Sequence, residues 1–213
     1  MGDYSIQELT SILAMQGFAG LSLFSVLLLM ALGLAIIFGQ MGVINMAHGE
    51  FMAIGAYTTY MLSVMTETYF PEFLSYYFFF AIIASFIVAG VVGYFIEWLL
   101  IRHLYKRPLD TLLATWGLSL IMQQIFRSLF GAREVSPTLP DWLMGSYMPT
   151  DTIFIPINGM FVLGLTTLVT IGVFILMYRS SWGLNVRATT QNRVMSGAVG
   201  INTTRVDRMT FAL

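Results

Sequence analysis

Asn45, His48 and Glu50 lie within six residues of one another, in the stretch Gly39-Gln-Met-Gly42-Val-Ile-Asn45-Met-Ala-His48-Gly49-Glu50-Phe-Met-Ala53-Ile-Gly55-Ala56-Tyr57. Strongly apolar sequence flanks this stretch, and it runs into apolar sequence itself. An ionisable group at membrane depth costs several kcal/mol unless it faces protein, water or a partner, so such a group marks a functional candidate. The glycines and alanines let neighbouring backbones approach closely and tolerate a bent or broken helix that lines a cavity. Gly39 to Tyr57 reads as a polar, closely packed segment inside a membrane bundle. On an ideal helix of about 100° per residue, Asn45, His48, Gly49, Met52, Gly55 and Ala56 share one face, and Glu50 and Tyr57 lie nearly opposite. The Asn45/His48 face is the candidate lining of a solute path. The competing reading makes both residues hydrogen-bonding glue between helices. For Glu50, a salt bridge or hydrogen bond to a neighbouring span outweighs a role in transport.

Elements that could position these groups follow from composition. Hydrophobic residues make up 57% of the 213 and charged residues 10%, against roughly 25% charged in a soluble domain. That describes an integral membrane protein of the all-α class, a polytopic helical bundle with about five spans and the start of a sixth. A single lysine and a net charge of −1 offer no basic surface for nucleic acid, and the lack of cysteine excludes disulfides and thiol chemistry. With two histidines, His48 and His103, no metal site is expected, nor any catalytic residue or cofactor. A helical zinc site needs two histidines four apart beside a glutamate, so a hydrolase using His48 and Glu50 is a poor fit. The apolar run after residue 16 is too long for a signal-peptide core, and the first span is expected to remain in the mature protein.

Gly17 to Phe38 is the first expected span, and the polar stretch leads into a second through Met65. Tyr76 to Ile96 is the third. Ser85, Ala89, Gly93 and Glu97 recur there every four residues, so they share a stripe and Glu97 should face protein. Pro108 suits a first helical position and disfavours helix at Arg107, with Asp110 near the positive end of the helix. Thr111 to Phe126 is then a fourth span, short for a straight crossing. Arg133 to Asp151 is expected to be a loop with interfacial aromatic residues, and Ile153 to Tyr178 a fifth span. Met209 to Leu213 resembles the start of another apolar run.

Basic residues set the orientation. Arg102, Lys106, Arg107, Arg179, Arg187, Arg193, Arg205 and Arg208 fall in two loops, and Arg127 and Arg133 on the other side. The positive-inside rule makes those two loops cytoplasmic and places the N-terminus and the proline-rich loop outside. In the second basic loop, a helix over Gln191 to Val199 would gather Val194, Met195, Ala198 and Val199 on one apolar face, point Arg193 away and stop at Gly200. Such a helix can dock on a soluble partner or lie on the lipid surface.

Gly42-Val-Ile-Asn-Met-Ala-His-Gly-Glu-Phe-Met-Ala-Ile-Gly-Ala-Tyr57 resembles the signature of the permease subunits of branched-chain amino-acid type ABC importers. The likeness extends from Gly17 over nearly the whole chain. Arg107-Pro-Leu-Asp-Thr-Leu-Leu-Ala-Thr-Trp-Gly-Leu-Ser-Leu120, and Val186-Arg-Ala-Thr-Thr-Gln-Asn-Arg193 with Arg205-Val-Asp207, resemble the urea-importing branch. The resemblance implies a permease in the bacterial inner membrane, working with a second homologous permease, two ATP-binding subunits and an extracytoplasmic solute-binding protein. It puts the coupling helix at Val194 to Gly200 within a cytoplasmic loop at 179–208. Of the pattern Glu-Ala-Ala, three residues, Gly, only Gly200 is kept, with Val194-Met195-Ser196 in place of the rest. The family's members continue through further spans, so residues 1–213 are expected to be one permease domain cut short. Urea is small, neutral and rich in donors and acceptors, so its path needs polar groups without a fixed charge at the narrowest point. Asn45, His48, Thr58 and Gln123 supply such groups, and Glu50 and Tyr57 complete the candidates. No phosphate-cradling loop is present, so ATP hydrolysis is expected in partner chains. The same architecture importing branched-chain amino acids or short amides is the alternative, and a passive channel is the simplest competitor.

Overall fold

The computed structural model describes residues 6–104, 107–150 and 153–212. Lys106, Asp151 and Leu213, used in the reading above, lie outside the described residues. Eight helices and one small hairpin make up the described chain: α1 (Ile6–Met41), α2 (His48–Tyr69), α3 (Tyr77–Leu99), α4 (Pro108–Phe130), β1 (Ser146–Thr150), β2 (Ile153–Pro156), α5 (Ile157–Arg179), α6 (Ser181–Gln191), α7 (Arg193–Ala198) and α8 (Thr203–Ala212). The all-α membrane class expected from composition is the class observed.

Among the described residues, three stretches are long and apolar enough to cross a membrane: Glu8–Met41, Tyr77–His103 and Ile157–Arg179. The five-span expectation included two more, which correspond to α2 and α4. With 22 and 23 residues and about 1.5 Å of rise per residue, each is some 33 Å long, so α4 is not the short element that Thr111 to Phe126 suggested. Their polar side chains, which bind one another across the α2–α4 contact, keep these helices out of the strongly apolar class. The expected loop over Arg133 to Asp151 holds a 3-10 turn at Asp141–Leu143 and the strand β1, which pairs antiparallel with β2. Ile153 to Pro156 is therefore strand rather than the start of the fifth span.

Contacts divide the chain into two compact units, with boundaries inside α1, between Thr138 and Leu139, and inside α5. The first contains the chain up to Leu32 and Leu139–Phe174. There Gly159 gives α1 room, since a Cβ on it would lie 2.7 Å from Phe18 Cε1. Trp142 packs edge-on against Phe161, with ring centroids 5.6 Å apart.

The second unit contains Gly33–Thr138 and Ile175–Leu213. In it α2 lies between α3 and α4. It runs antiparallel to α3, where Thr59 Oγ1 and Ser85 Oγ share a hydrogen bond at 3.0 Å, Ser85 Oγ donates to Gly55 O at 3.0 Å, and Phe51 approaches Gly93. It runs parallel to α4, where Tyr57 stacks on Phe130 at 4.2 Å and lies 4.8 Å from Phe126. The stripe predicted on α3 does face protein: Ser85 meets α2, Gly93 meets α8, and Glu97 is fully buried. A Cβ on Gly90 or Gly93 would lie 3.0–3.1 Å from the backbone oxygens of Ala212 and Phe211, so these glycines set how closely α8 approaches. Ile37, Met41, Val43, Ile101 and Phe211 form the apolar core of this unit.

Candidate functional site

α1 ends at Met41, and Gly42 turns the chain with φ +64, a left-handed conformation that glycine adopts at no steric cost. His48, the first residue of α2, lies beside Gly33, where an added Cβ would be 3.2 Å from its Cε1. Gly33 precedes the end of α1 by eight residues, about 12 Å of helix. Residues 42–47 thus run back along the end of α1 before α2 begins.

Such a non-helical segment must find partners for its backbone polar groups. Gly42 N donates to Phe38 O, Met46 N to Thr115 Oγ1 at 3.1 Å, and Ala47 N to Asn45 Oδ1 at 3.0 Å. Val43, Asn45 and Ala47 are buried, while Ile44 and Met46 are exposed. Asn45 therefore does not extend a helical face with His48, as the periodic reading had it. It precedes the helix, with Oδ1 tied to its own turn and a buried Nδ2 that has no partner among the described residues. Of the remaining residues on that predicted face, Gly49, Met52 and Ala56 are exposed, and Gly55 sits against Ser85.

Glu50 faces α4. Its Oε1 accepts from Ser119 Oγ at 2.9 Å and from Gln123 Nε2 at 2.8 Å, and Gln123 Nε2 is also 3.2 Å from Ser119 Oγ. Tyr57, two turns on, faces the same helix through its aromatic stack. Thr58 does not join them, since its hydroxyl donates back to Ile54 O at 2.8 Å. The structure thus brings Glu50 and Gln123 together and adds Thr115 and Ser119, which the motif reading missed. Their signal was available: Thr111, Thr115, Ser119 and Gln123 recur every four residues, the spacing of one helix face. Thr111 and Thr115 are fully buried.

The second set surrounds α7. The expected helix over Gln191 to Val199 is broken at Asn192, whose backbone is extended (φ −153, ψ 98) and whose Oδ1 caps Met195 N at 3.0 Å. Asparagine is a favoured cap because its short side chain replaces the missing intrahelical acceptor. At the other end Gly200 has φ +91, its N–H donates to Gly197 O, and Ile201 N–H donates to Ser196 O. That paired pattern closes the helix around a left-handed glycine. Val194, Met195, Ala198 and Val199 are exposed, and Ser196 is buried.

Arg193 does not point away. It donates to Asp207 Oδ2 on α8, while Gln40 Nε2 on α1 donates to Asp207 Oδ1 at 3.2 Å. Burial pushes the Asp207 carboxyl above its usual range, against the opposing pull of Arg193 and Gln40. Next to it, Arg208 Nε donates to the buried Glu97 Oε2 at 3.1 Å, and its NH1 donates to Tyr94 Oη at 2.9 Å. A basic cavity of about 900 Å³ opens beside these groups, lined among others by Gln40, Arg102, Arg107, Thr189 and Arg193.

Comparison with known proteins places these features in a family. Residues 17–213 match the model described as branched-chain amino acid transport system / permease component. The high-affinity branched-chain amino acid transport system permease protein LivH of Salmonella typhimurium is 28% identical over 208 residues, covering 93% of this chain and 65% of the relative. LivH of Escherichia coli is 27% identical with the same coverage. The corresponding protein BraD of Pseudomonas aeruginosa is 27% identical over 199 residues, 91% of this chain and 64% of its own length. The chain thus spans a little under two thirds of the relatives it matches. No solved structure matches it. On the family match across nearly its whole length, the chain belongs to the branched-chain amino acid transport system permease component family, whose members are transporter subunits and not enzymes.

Proposed function

We propose that this chain is the membrane-spanning part of an ATP-driven importer in the bacterial inner membrane, and that its cargo is a branched-chain amino acid. The observation that carries the reading is the fold-back of residues 42–47, with the Asn45 Nδ2 buried and unpartnered among the described residues. Non-helical backbone at membrane depth is tolerated where protein covers it or where it lines a cavity, and a donor left without a protein acceptor suits a passing solute. His48 lies beside it at Gly33. Glu50, Tyr57 and Gln123 hold α2 against α4 and so position that segment, and Thr58 is the remaining candidate on α2.

The cargo follows the relatives, which are named for branched-chain amino acids. Urea is the second reading. It is favoured by the stretch from Arg107 to Leu120, whose Thr115 and Ser119 hold the fold-back and Glu50. The basic loops face the cytoplasm and the N-terminus lies outside. That arrangement offers the exposed Val194, Met195, Ala198 and Val199 of α7 to one of two ATP-binding subunits, with Arg193 and Gly200 fixing the helix ends. A second homologous permease and an extracytoplasmic binding protein complete the assembly. The test is uptake of labelled leucine and labelled urea into vesicles holding the full assembly and its binding protein. ATP-dependent leucine uptake supports the first reading, ATP-dependent urea uptake replaces the cargo, and uptake indifferent to ATP removes the importer reading.

A further inference from the structure

Charged groups that the path reading leaves unused converge on α8. Asp207 is fully buried, and its two oxygens have different partners: Oδ1 accepts from Gln40 at 3.2 Å and Oδ2 from Arg193. Gln40 stands two residues before Gly42, at the root of the fold-back. Arg193 is the first residue of α7. α8 is held independently of both, by Arg208 on Glu97 and Tyr94 of α3 and by the backbone contacts of Gly90 and Gly93.

We propose that Gln40, Asp207 and Arg193 form a positioning linkage through which displacement of α7 moves the fold-back of residues 42–47. The idea rests on the importer reading above. α7 is six residues long with most of its surface exposed, so its own packing does little to fix where it sits. The Arg193–Asp207 pair supplies that anchor. A buried carboxylate that loses its partners is left desolvated and uncompensated, so the three side chains move together or the charge is stranded. At the far end, Gln40 Oε1 is buried without a partner among the described residues, and the Gln40 amide is held through its Nε2 on Asp207. The result is a continuous polar connection from the helix offered to the ATP-binding subunit to the turn that starts the candidate path.

Adjacency alone does not establish coupling, so the experiment reads coupling directly. The full-length permease, assembled with its partner permease, ATP-binding subunits and binding protein in proteoliposomes, is assayed for leucine and urea moved per ATP hydrolysed. Arg193→Gln and Gln40→Met cut the connection at opposite ends. Each is expected to keep ATP hydrolysis and to lower solute moved per ATP by about tenfold, within the usual range of coupling between distant sites. Arg193→Lys, which keeps the charge, is expected to recover most of the ratio. A purely structural role lowers assembled complex, hydrolysis and transport in proportion, and an unchanged ratio in Gln40→Met, a change of similar volume outside α7, overturns the proposal. If Arg193→Gln fails to assemble, Gln40→Met alone decides. Unmodified complex that shows no ATP-dependent uptake of either solute overturns the importer reading, and the linkage with it.

Discussion

Gln123 on α4 donates to Glu50 on α2 at 2.8 Å, and Ser119, one turn earlier, donates to the same Oε1 at 2.9 Å. The carboxylate is thereby turned towards protein, which explains how an acidic residue is tolerated in the first turn of α2, far from the other acid of that helix, Glu67, in its last turn. Removing an acceptor strands its donors. Glu50→Ala is therefore expected to lower stability by roughly 1–3 kcal/mol, and Glu50→Gln, which retains an oxygen, by less than about 1 kcal/mol. Thermal unfolding of the purified protein in detergent measures both. Full-rate uptake by a normally inserted Glu50→Gln restricts Glu50 to this structural role.

Gly183 presents a sharper steric case. A Cβ there would lie 2.2 Å from Met177 O and 2.6 Å from Met177 C, both backbone atoms across the α5–α6 corner. Backbone cannot rotate out of the way as a side chain can. Gly183→Ala is expected to cost several kcal/mol, at the upper end for single substitutions, and to be seen as loss of folded protein after membrane extraction. Gly117, with nothing near its Cβ position, is the control, and Gly117→Ala should extract normally.

Asn45 separates acceptor from donor. Its Oδ1 caps Ala47 N, whereas its Nδ2 serves nothing in the described structure. Asn45→Asp keeps the capping oxygen but replaces the amide by a carboxyl at a buried position, where its charge lowers stability, so reduced uptake together with a lowered melting temperature is the expected outcome. Asn45→Ala should also lose about 1 kcal/mol with the cap. Comparing melting temperature with uptake rate for the two variants checks the division, and full uptake by Asn45→Asp would contradict a role for the donor.

Ala198→Glu with Val199→Glu places two charges on a surface already exposed to solvent. The permease itself should fold with stability within about 0.5 kcal/mol of the unmodified protein, as surface substitutions usually do. Co-purification of the ATP-binding subunits should fall sharply. Retention of both partner and uptake would show that α7 docks elsewhere.

Local chemistry made part of this fold legible. Pro108 opens α4 as its ring demands, with Arg107 held out of helix at φ −134 and ψ 82. The four-residue spacing from Ser85 to Glu97 placed Glu97 inside the protein, and Gly200 ends α7 in the left-handed conformation expected of it. Other features were hidden for physical reasons. Asn192 reads as one polar residue among several, and it becomes a helix boundary only because its side chain caps Met195. Pro149 and Pro156 argue against strands, which concealed the hairpin. The pairs Arg193–Asp207 and Arg208–Glu97 join residues 14 and 111 positions apart, a separation that no helical period encodes. The α4 stripe from Thr111 to Gln123 was visible in its spacing, but its partners on the fold-back were not.

Residues 1–213 contain no cysteine, so a cysteine introduced among them is the single thiol of that stretch. The most direct test of the account is labelling of Asn45→Cys in the assembled, membrane-embedded complex by a charged, membrane-impermeant thiol reagent. The account predicts that this position reacts from water and that leucine or urea delivered by the binding protein slows the reaction. Labelling only by a lipid-soluble reagent, at a rate unaffected by either solute, would contradict a solute route along this segment.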